Sequence, residues 1–424
     1  MKIIPIAEGI EGLFIKNERF STTRISINLY LPLDKNKVAV NALLPYMLSS
    51  CSKDYPDFTA LNFELASLYG ADVGGVPDKT GDTQVLKFFS FTINDDLVPE
   101  DFSVVSKALE LLLKMIFEPS AENGAFKTYD LERERRLTIE KIEGLINEKR
   151  SYAIAQTLLH MYRDEDFGCF KCGSLEDVKA ITEKSLYSAY KEVLLKAKVR
   201  IQVIGKELPA GIFENIKEQF GKTERKPVNI TPAKPKKKAE KVSYIEDYMD
   251  VNQGKLVLGF TTDFTGDDKE TAHLAVFADL LGGGPYSKLF KNVREKMSLC
   301  YYCAAKVDRA KGFLLVDSGV EAEKMEKTEK EILNQLEALK KGDFDENDLA
   351  ASVRSIKDSL LGLGDSVAAL DSWYSMRIFG TPISPEEFIE AVSKVTSEDV
   401  IKAANLYSLD TVYKILPKKE GENR

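Results

Sequence analysis

The sequence predicts an α+β protein of two homologous domains, each an antiparallel-rich β-sheet packed with α-helices. Three observations carry this. The halves open alike: TRISINLYLPL (23–33) and GKLVLGFTTDF (254–264) read as strands. Each is followed by an acidic-polar turn and an apolar helix, DKNKVAVNALLPYMLSS (34–50) and DDKETAHLAVFADLLGG (267–283). The halves also close alike, with ITEKSLYSAYKEVL then VRIQVIGK in the first and VTSEDVIKAANLY then TVYKILPK in the second. Between them lies GKTERKPVNITPAKPKKKAEK, whose three prolines and many lysines read as an exposed linker. The expected boundaries are a domain at 1–220, a linker at 221–241 and a domain at 242–424.

Taken in order, the elements support the duplication. The N-terminus, MKIIPIAEGIEG, has an apolar run too short for a secretory segment, and no run approaches transmembrane length. These features point to a cytoplasmic protein. Residues 126–148 read as a long charged helix with Ile142, Leu145 and Ile146 as its apolar stripe, followed by a helix over 151–165. Thr182 and Thr396 are natural N-caps of the closing helices, with Ser185 and Asp399 at the third helical position. Thr182, Leu186 and Ala189 match Thr396, Val400 and Ala403 at identical spacing. In the second half, residues 321–342 read as a salt-bridge-rich helix ended by Gly342.

Composition and motifs exclude several kinds of chemistry. A net charge of −8 argues against nucleic acid or an anionic membrane as the main partner. The five cysteines are too few for a disulfide framework. Four form two C-x-x-C pairs, Cys169/Cys172 and Cys300/Cys303. Together these offer a four-thiolate metal site, but the second pair reads as a strand, where residues i and i+3 point to opposite faces. The two histidines, His160 and His273, lie in opposite halves of the sequence without a partner one helical turn away. No phosphate-binding glycine loop and no G-x-S-x-G elbow is present.

One stretch stands out: LLGGGPYSKLFKNVREKMSLCYYCAAKVDRAKGF (280–313). Gly282, Gly283 and Gly284 permit a turn with positive φ and a close approach to another chain. Arg294 falls on the next helix and Tyr301 at the following strand. Both donate hydrogen bonds, and a carbonyl oxygen is a suitable acceptor.

These residues resemble the second domain of M16 peptidases, the insulinase and mitochondrial processing peptidase family. Its pattern LGGG-x-x-S-x-L-F-x-x-V-R-E-x-x-x-L-x-Y is matched by Leu281 to Gly284, Ser287, Leu289, Phe290, Val293, Arg294, Glu295, Leu299 and Tyr301. The resemblance implies the family's LuxS-like metallohydrolase fold in a clamshell. It gives Arg294, Tyr301 and the glycines Gly282, Gly283 and Gly284 a substrate-binding role. It also implies that the first helix should carry H-x-x-E-H, where two histidines bind zinc and the glutamate activates water. Here those positions are Ala42, Leu43, Leu44, Pro45 and Tyr46, and the later glutamate ligand falls at Lys141 or, one register away, Glu140.

No catalytic residue and no metal is therefore expected on this chain. The resemblance points to the zinc-free subunit of a two-chain member, closest to the inactive partner found in many Firmicutes. Zinc is expected on a partner subunit carrying H-x-x-E-H, and a peptide or unfolded polypeptide is the expected substrate. The peptide would add as a strand near residues 68–88. A homodimer is open to the isolated chain. A scaffold of the same fold with no role in proteolysis is the alternative, and a metal site built on the C-x-x-C pairs is a third.

Overall fold

The computed structural model describes residues 2–99, 102–265 and 269–418. They form two compact units, Met1–Glu143 with Cys169–Pro232 and Leu363–Pro382, and Gly144–Gly168 with Ala233–Gly362 and Ile383–Arg424. Asp267 and Asp268, at the start of one expected helix, lie outside the described residues. That helix is described from Ala272 to Gly282.

The first unit is built on β1 (Ile3–Ala7), β2 (Ile10–Lys16), β3 (Thr22–Pro32), β4 (Asp72–Thr80) and β5 (Thr83–Ile93). A small hairpin, β6 (Ala121–Glu122) and β7 (Ala125–Phe126), and then β8 (Lys198–Gly205) complete it. The sheet order is β1-β2-β8-β3-β5-β4, with β2 and β8 parallel and the other pairs antiparallel. Strand β3 alternates strictly. Ile25, Ile27, Leu29 and Leu31 join the core under the helices Val38–Ser50, Val104–Phe117 and Glu183–Lys196.

The opposite residues of β3, Ser26 and Asn28, are polar yet fully buried, because the helix Val367–Ser375 packs on β3 and β8. That helix brings Leu370 and Tyr374 against Leu13, Ile15 and Ile204. It also brings Asp371, 1% exposed, to the polar face. The Asp371 carboxylate accepts from Arg24 Nε at 3.1 Å, Lys87 Nζ at 3.0 Å, Gln202 Nε2 at 2.8 Å and the Ser26 hydroxyl. A carboxylate between two buried cations satisfies groups that would otherwise be costly to desolvate.

The second unit repeats the plan. Its strands are β9 (Ser243–Met249), β10 (Gly254–Thr261), β11 (Cys300–Asp308), β12 (Phe313–Val320) and β13 (Ser408–Pro417). The order is β11-β12-β10-β13-β9, with β13 and β9 parallel. Read from the edge, this is the order β4-β5-β3-β8-β2 of the first sheet, so the sequence repeat is a structural one. The helices Ala272–Gly282, Met325–Lys340 and Ser397–Leu406 pack together beside this sheet. The helix Lys149–Met161 packs on β10 and β13. Gly259 of β10 makes room for it: a Cβ there would lie 2.9 Å from Met161 Sδ.

The units interleave along the chain. Of the helices between β5 and β8, Lys149–Met161 belongs to the second unit, and of those between β12 and β13, Val367–Ser375 belongs to the first. These are equivalent places in the repeat. Both closing helices carry full capping boxes, Thr182 with Ser185 and Thr396 with Asp399.

Two sequence expectations are corrected here. The charged helix runs from Thr128 to Gly144, and it buries Asp130, Leu131, Glu134 and Thr138, whereas Ile146 is 42% exposed. Two carboxylates can turn inward because Arg133 pairs with Asp130 at 3.6 Å and Glu134 at 2.9 Å. The linker is irregular as expected but not simply exposed. Ala233 is buried, and Lys236 pairs with Asp410 at 2.8 Å. Burial also pushes the Arg225 guanidinium down to about 10. Among the described residues, no helix is long and apolar enough to cross a membrane.

Candidate functional site

Two places are built at equivalent positions of the repeat. The first is the helix Val38–Ser50, which continues unbroken through Pro45. Ala42, Leu43 and Leu44 are each 1% exposed and belong to the apolar interior. The Pro45 carbonyl lies so close to β4 that a Cβ on Gly75 would stand 2.3 Å from its oxygen. Edge strand β4 thus packs directly on the helix, and only glycine fits at that point.

The Tyr46 ring is covered by the Lys141 ammonium, 3.8 Å from its centroid. Burial is the main cause of a raised Tyr46 pKa, followed by the charge of, and a hydrogen bond to, the Cys172 thiol. Burial likewise pushes the Cys172 thiol up. Glu140, the neighbouring register, is paired with Arg136 at 3.3 Å. A zinc site of the H-x-x-E-H kind does not fit these residues. Ala42 and Pro45 offer no donor side chain, and the cation beside Tyr46 is a lysine, which binds no metal while it is protonated. Among the described residues, no group of three or more His, Cys, Asp or Glu is placed to hold a metal ion. His160 stacks on Tyr413 and His273 meets the edge of Phe264, so both histidines sit in aromatic contacts of the second unit.

The second place follows the helix Ala272–Gly282. Gly282, Gly283 and Gly284 all lie outside the positive-φ region, contrary to the sequence expectation. Their role in this fold is close packing. A Cβ on Gly282 would lie 2.5 Å from the Ala305 amide nitrogen of β11, and one on Gly283 2.3 Å from the Asp279 carboxylate. Asp279 accepts from the Tyr286 hydroxyl at 2.6 Å, and burial pushes its carboxyl up. A π-helical segment, Leu289–Lys296, then carries Arg294. Such segments are rare and concentrate at functional sites.

Arg294 and Tyr301 line one cleft of about 340 Å³, together with Glu295, Ser298, Leu299, Cys300, Glu321 and Lys324. The three glycines lie outside that lining. The Arg294 guanidinium stacks over Phe290 at 4.6 Å, with Nε 3.5 Å from Glu295. Tyr301 is 58% exposed, and its hydroxyl donates to Glu321 Oε1 at 3.2 Å. The cleft therefore presents an always-charged planar donor and a hydroxyl, both reachable from solvent.

Strand β11 also corrects the reading of its cysteines. Cys300 pairs with Val320, Tyr302 with Gly319 and Cys303 with Ser318, leaving Tyr301 as the extra residue of a β-bulge. The bulge reverses the alternation, so Cys300 and Cys303 share one face instead of opposing faces. Ser318, the ladder partner of Cys303, donates its hydroxyl to the Tyr302 carbonyl at 2.8 Å and lies beside both thiols. Nothing in the pattern LCYYCAAKV marks a bulge, which is why the sequence misses it.

Comparison with known proteins bears on both places. Residues 180–356 match the profile described as "Peptidase M16 inactive domain". A Bacillus subtilis protein named "Probable inactive metalloprotease YmfF" is 30% identical over 406 residues, covering 96% of this chain and 95% of that one. The chain belongs to the M16 peptidase family. Solved structures agree on the M16 fold. A conserved protein from Enterococcus faecalis superposes with a TM-score of 0.90 at 24% identity, over 99% of both chains. A peptidase M16 inactive domain from Pseudomonas fluorescens gives 0.77 at 18% identity, over 100% of this chain and 99% of that one. This M16 chain is a non-catalytic member of the family and carries no catalytic zinc.

Proposed function

We propose that the chain is the non-catalytic subunit of a heterodimeric M16-type zinc peptidase. Its partner subunit would carry H-x-x-E-H and the zinc. This chain would contribute half of a peptide-binding chamber and the Arg294/Tyr301 pair. One observation carries the reading. Ala42, Leu43 and Leu44 belong to an apolar interior and Lys141 lies over Tyr46, while Arg294 and Tyr301 line one open cleft. An arginine and a phenol on a peptide carbonyl favour the charge that develops on its oxygen during hydrolysis. An unfolded peptide would extend the first sheet along β4, which among the described residues is the last strand of the sheet and pairs with β5 alone. The net charge of −8 supports a role without nucleic acid or membrane surface. Five cysteines without a disulfide suit the cytoplasm. In isolation, a second copy of the chain can take the partner's place as a homodimer.

The test combines the purified chain with the M16 subunit that carries H-x-x-E-H and follows cleavage of an unfolded polypeptide. Cleavage is expected only from the mixture. Arg294→Ala is expected to lower kcat about 10²-fold without dissociating the complex. A mixture with Arg294→Ala that cleaves normally rejects the shared site. Failure of the two chains to associate favours a scaffold with no role in proteolysis.

A further inference from the structure

We propose that Cys300 is a peroxide-reactive cysteine and that Cys303 resolves its oxidised form, closing a disulfide across the Tyr301 bulge. This inference is independent of any partner subunit. It rests first on backbone register. The bulge at Tyr301 puts both cysteines on one face of β11, where an unbulged strand would separate them. The two thiols are close enough for each to shift the other's titration, and Ser318, the ladder partner of Cys303, lies beside both. Access differs in the useful sense. Cys300 is half-buried and lines the open cleft, whereas Cys303 is 8% exposed behind it.

Electrostatics give the pair a division of labour. The hydrogen bond from Cys303 is the main cause that holds the Cys300 thiol down to about 7, with help from Ser318 and Arg294 and against burial. Cys303 is pushed up by the same hydrogen bond, by burial and by the charges of Cys300 and Asp317. The charged groups around the cleft are Arg294 and Lys324 on one side of the balance and Glu295 and Glu321 on the other. By contrast, burial pushes the thiols of Cys51 and Cys172 up. A thiolate with solvent access beside a second thiol is the arrangement of a sensor cysteine and its resolving partner.

The chemistry balances with a hydroperoxide as oxidant. The Cys300 thiolate attacks one peroxide oxygen, the O–O bond breaks, and hydroxide leaves, giving a sulfenic acid. The Cys303 thiol then attacks the Cys300 sulfur, the S–O bond breaks, and water departs with the Cys303 proton. For hydrogen peroxide the sum is two thiols and one peroxide giving one disulfide and two waters. A dithiol reductant reverses it. Closing this four-residue ring draws in the backbone on both sides of Tyr301 and changes how its hydroxyl is presented to the cleft.

The test uses the full-length chain at pH 7 with stoichiometric hydrogen peroxide, thiol blocking and peptide mapping by mass spectrometry. A peptide linking Cys300 to Cys303, two hydrogens lighter and restored by dithiothreitol, is expected. The variant Cys303→Ser is expected to accumulate a dimedone adduct on Cys300 that the native chain does not. In the native chain, the iodoacetamide reaction of Cys300 should rise with pH through a midpoint near 7. At pH 7 its thiolate fraction is roughly fifteenfold that of an ordinary thiol. Lower nucleophilicity offsets about fivefold, leaving roughly threefold in rate. A native chain that yields no linked peptide overturns the proposal. So does Cys300 alkylation with the midpoint of an ordinary thiol, a measurement that needs no variant.

Discussion

Replacing Asp371 by alanine should destabilise the first unit more than any substitution at the surface. The carboxylate is 1% exposed and lies within 3.1 Å of both Arg24 and Lys87, whose side chains are only 11% and 10% exposed. Removing it leaves two buried cations without a counter-charge and strips the acceptor from Ser26 and Gln202. Breaking one buried ion pair in this way costs about 3–5 kcal/mol. The only tryptophan of the chain, Trp373, lies two residues away on the same helix, so its fluorescence reports this unit directly. With a urea dependence of about 2–3 kcal/mol/M, a loss near 4 kcal/mol lowers the fluorescence midpoint by about 1.3–2 M. Adding Lys87→Met to Asp371→Ala removes one stranded cation. The double variant should therefore be less destabilised than the two single losses added together. A midpoint shift below about 0.3 M for Asp371→Ala would mean that water or a neighbouring group neutralises the cations, and the ion-pair account of this face would be wrong.

Three further outcomes can be checked on the chain alone. Gly282→Ala drives a Cβ to 2.5 Å from the β11 backbone, and about 1–3 kcal/mol of lost stability in chemical denaturation is expected. Gly362→Ala, in a helix and with nothing within 4 Å of the new Cβ, should instead stabilise by about 0.5–1 kcal/mol in the same assay. Burial lowers the His273 pKa from its ordinary 6.5, so the unfolded chain binds its proton more readily than the folded one. Its contribution to stability is therefore complete above pH 6.5 and lost as pH falls toward the folded value, and NMR titration of the imidazole should give a midpoint below 6.5.

Much of the fold was legible because its signals are local. The strand and helix that open each half, and the threonine caps that close it, are set by alternation, helical spacing and side-chain hydrogen bonds within four residues. The features that were not legible depend on distant partners. TRISINLYL looks like a strand with one wet face, but Ser26 and Asn28 are dry because a helix some 345 residues later covers them. Asp130 and Glu134 look like solvent-facing charges, and Arg133 is what lets them turn inward. At the site, the family pattern singled out Arg294 and Tyr301, which line one cleft, and Ala42, Pro45 and Tyr46, which lie on one helix. It did not reveal the Lys141–Tyr46 stack or the Tyr301 bulge, since the first joins residues far apart in sequence and the second is a register shift between strands.

The interleaving of the two units also has a temporal side. During synthesis, the strands of the first sheet are complete once Gly205 has been added, but the helix bearing Asp371 follows only near residue 375. At ribosomal rates of about 5–20 residues per second, the interval is about 9–35 s. Throughout it Arg24, Lys87 and Gln202 face outward with no carboxylate to meet them, and the polar face of β3 stays wet. A nascent chain halted before residue 363 would present an open sheet, and a gene cut at the linker would yield two fragments that each lack a helix carried by the other. Each half contains the recognisable repeat, yet each compact unit takes a helix from the other half of the sequence.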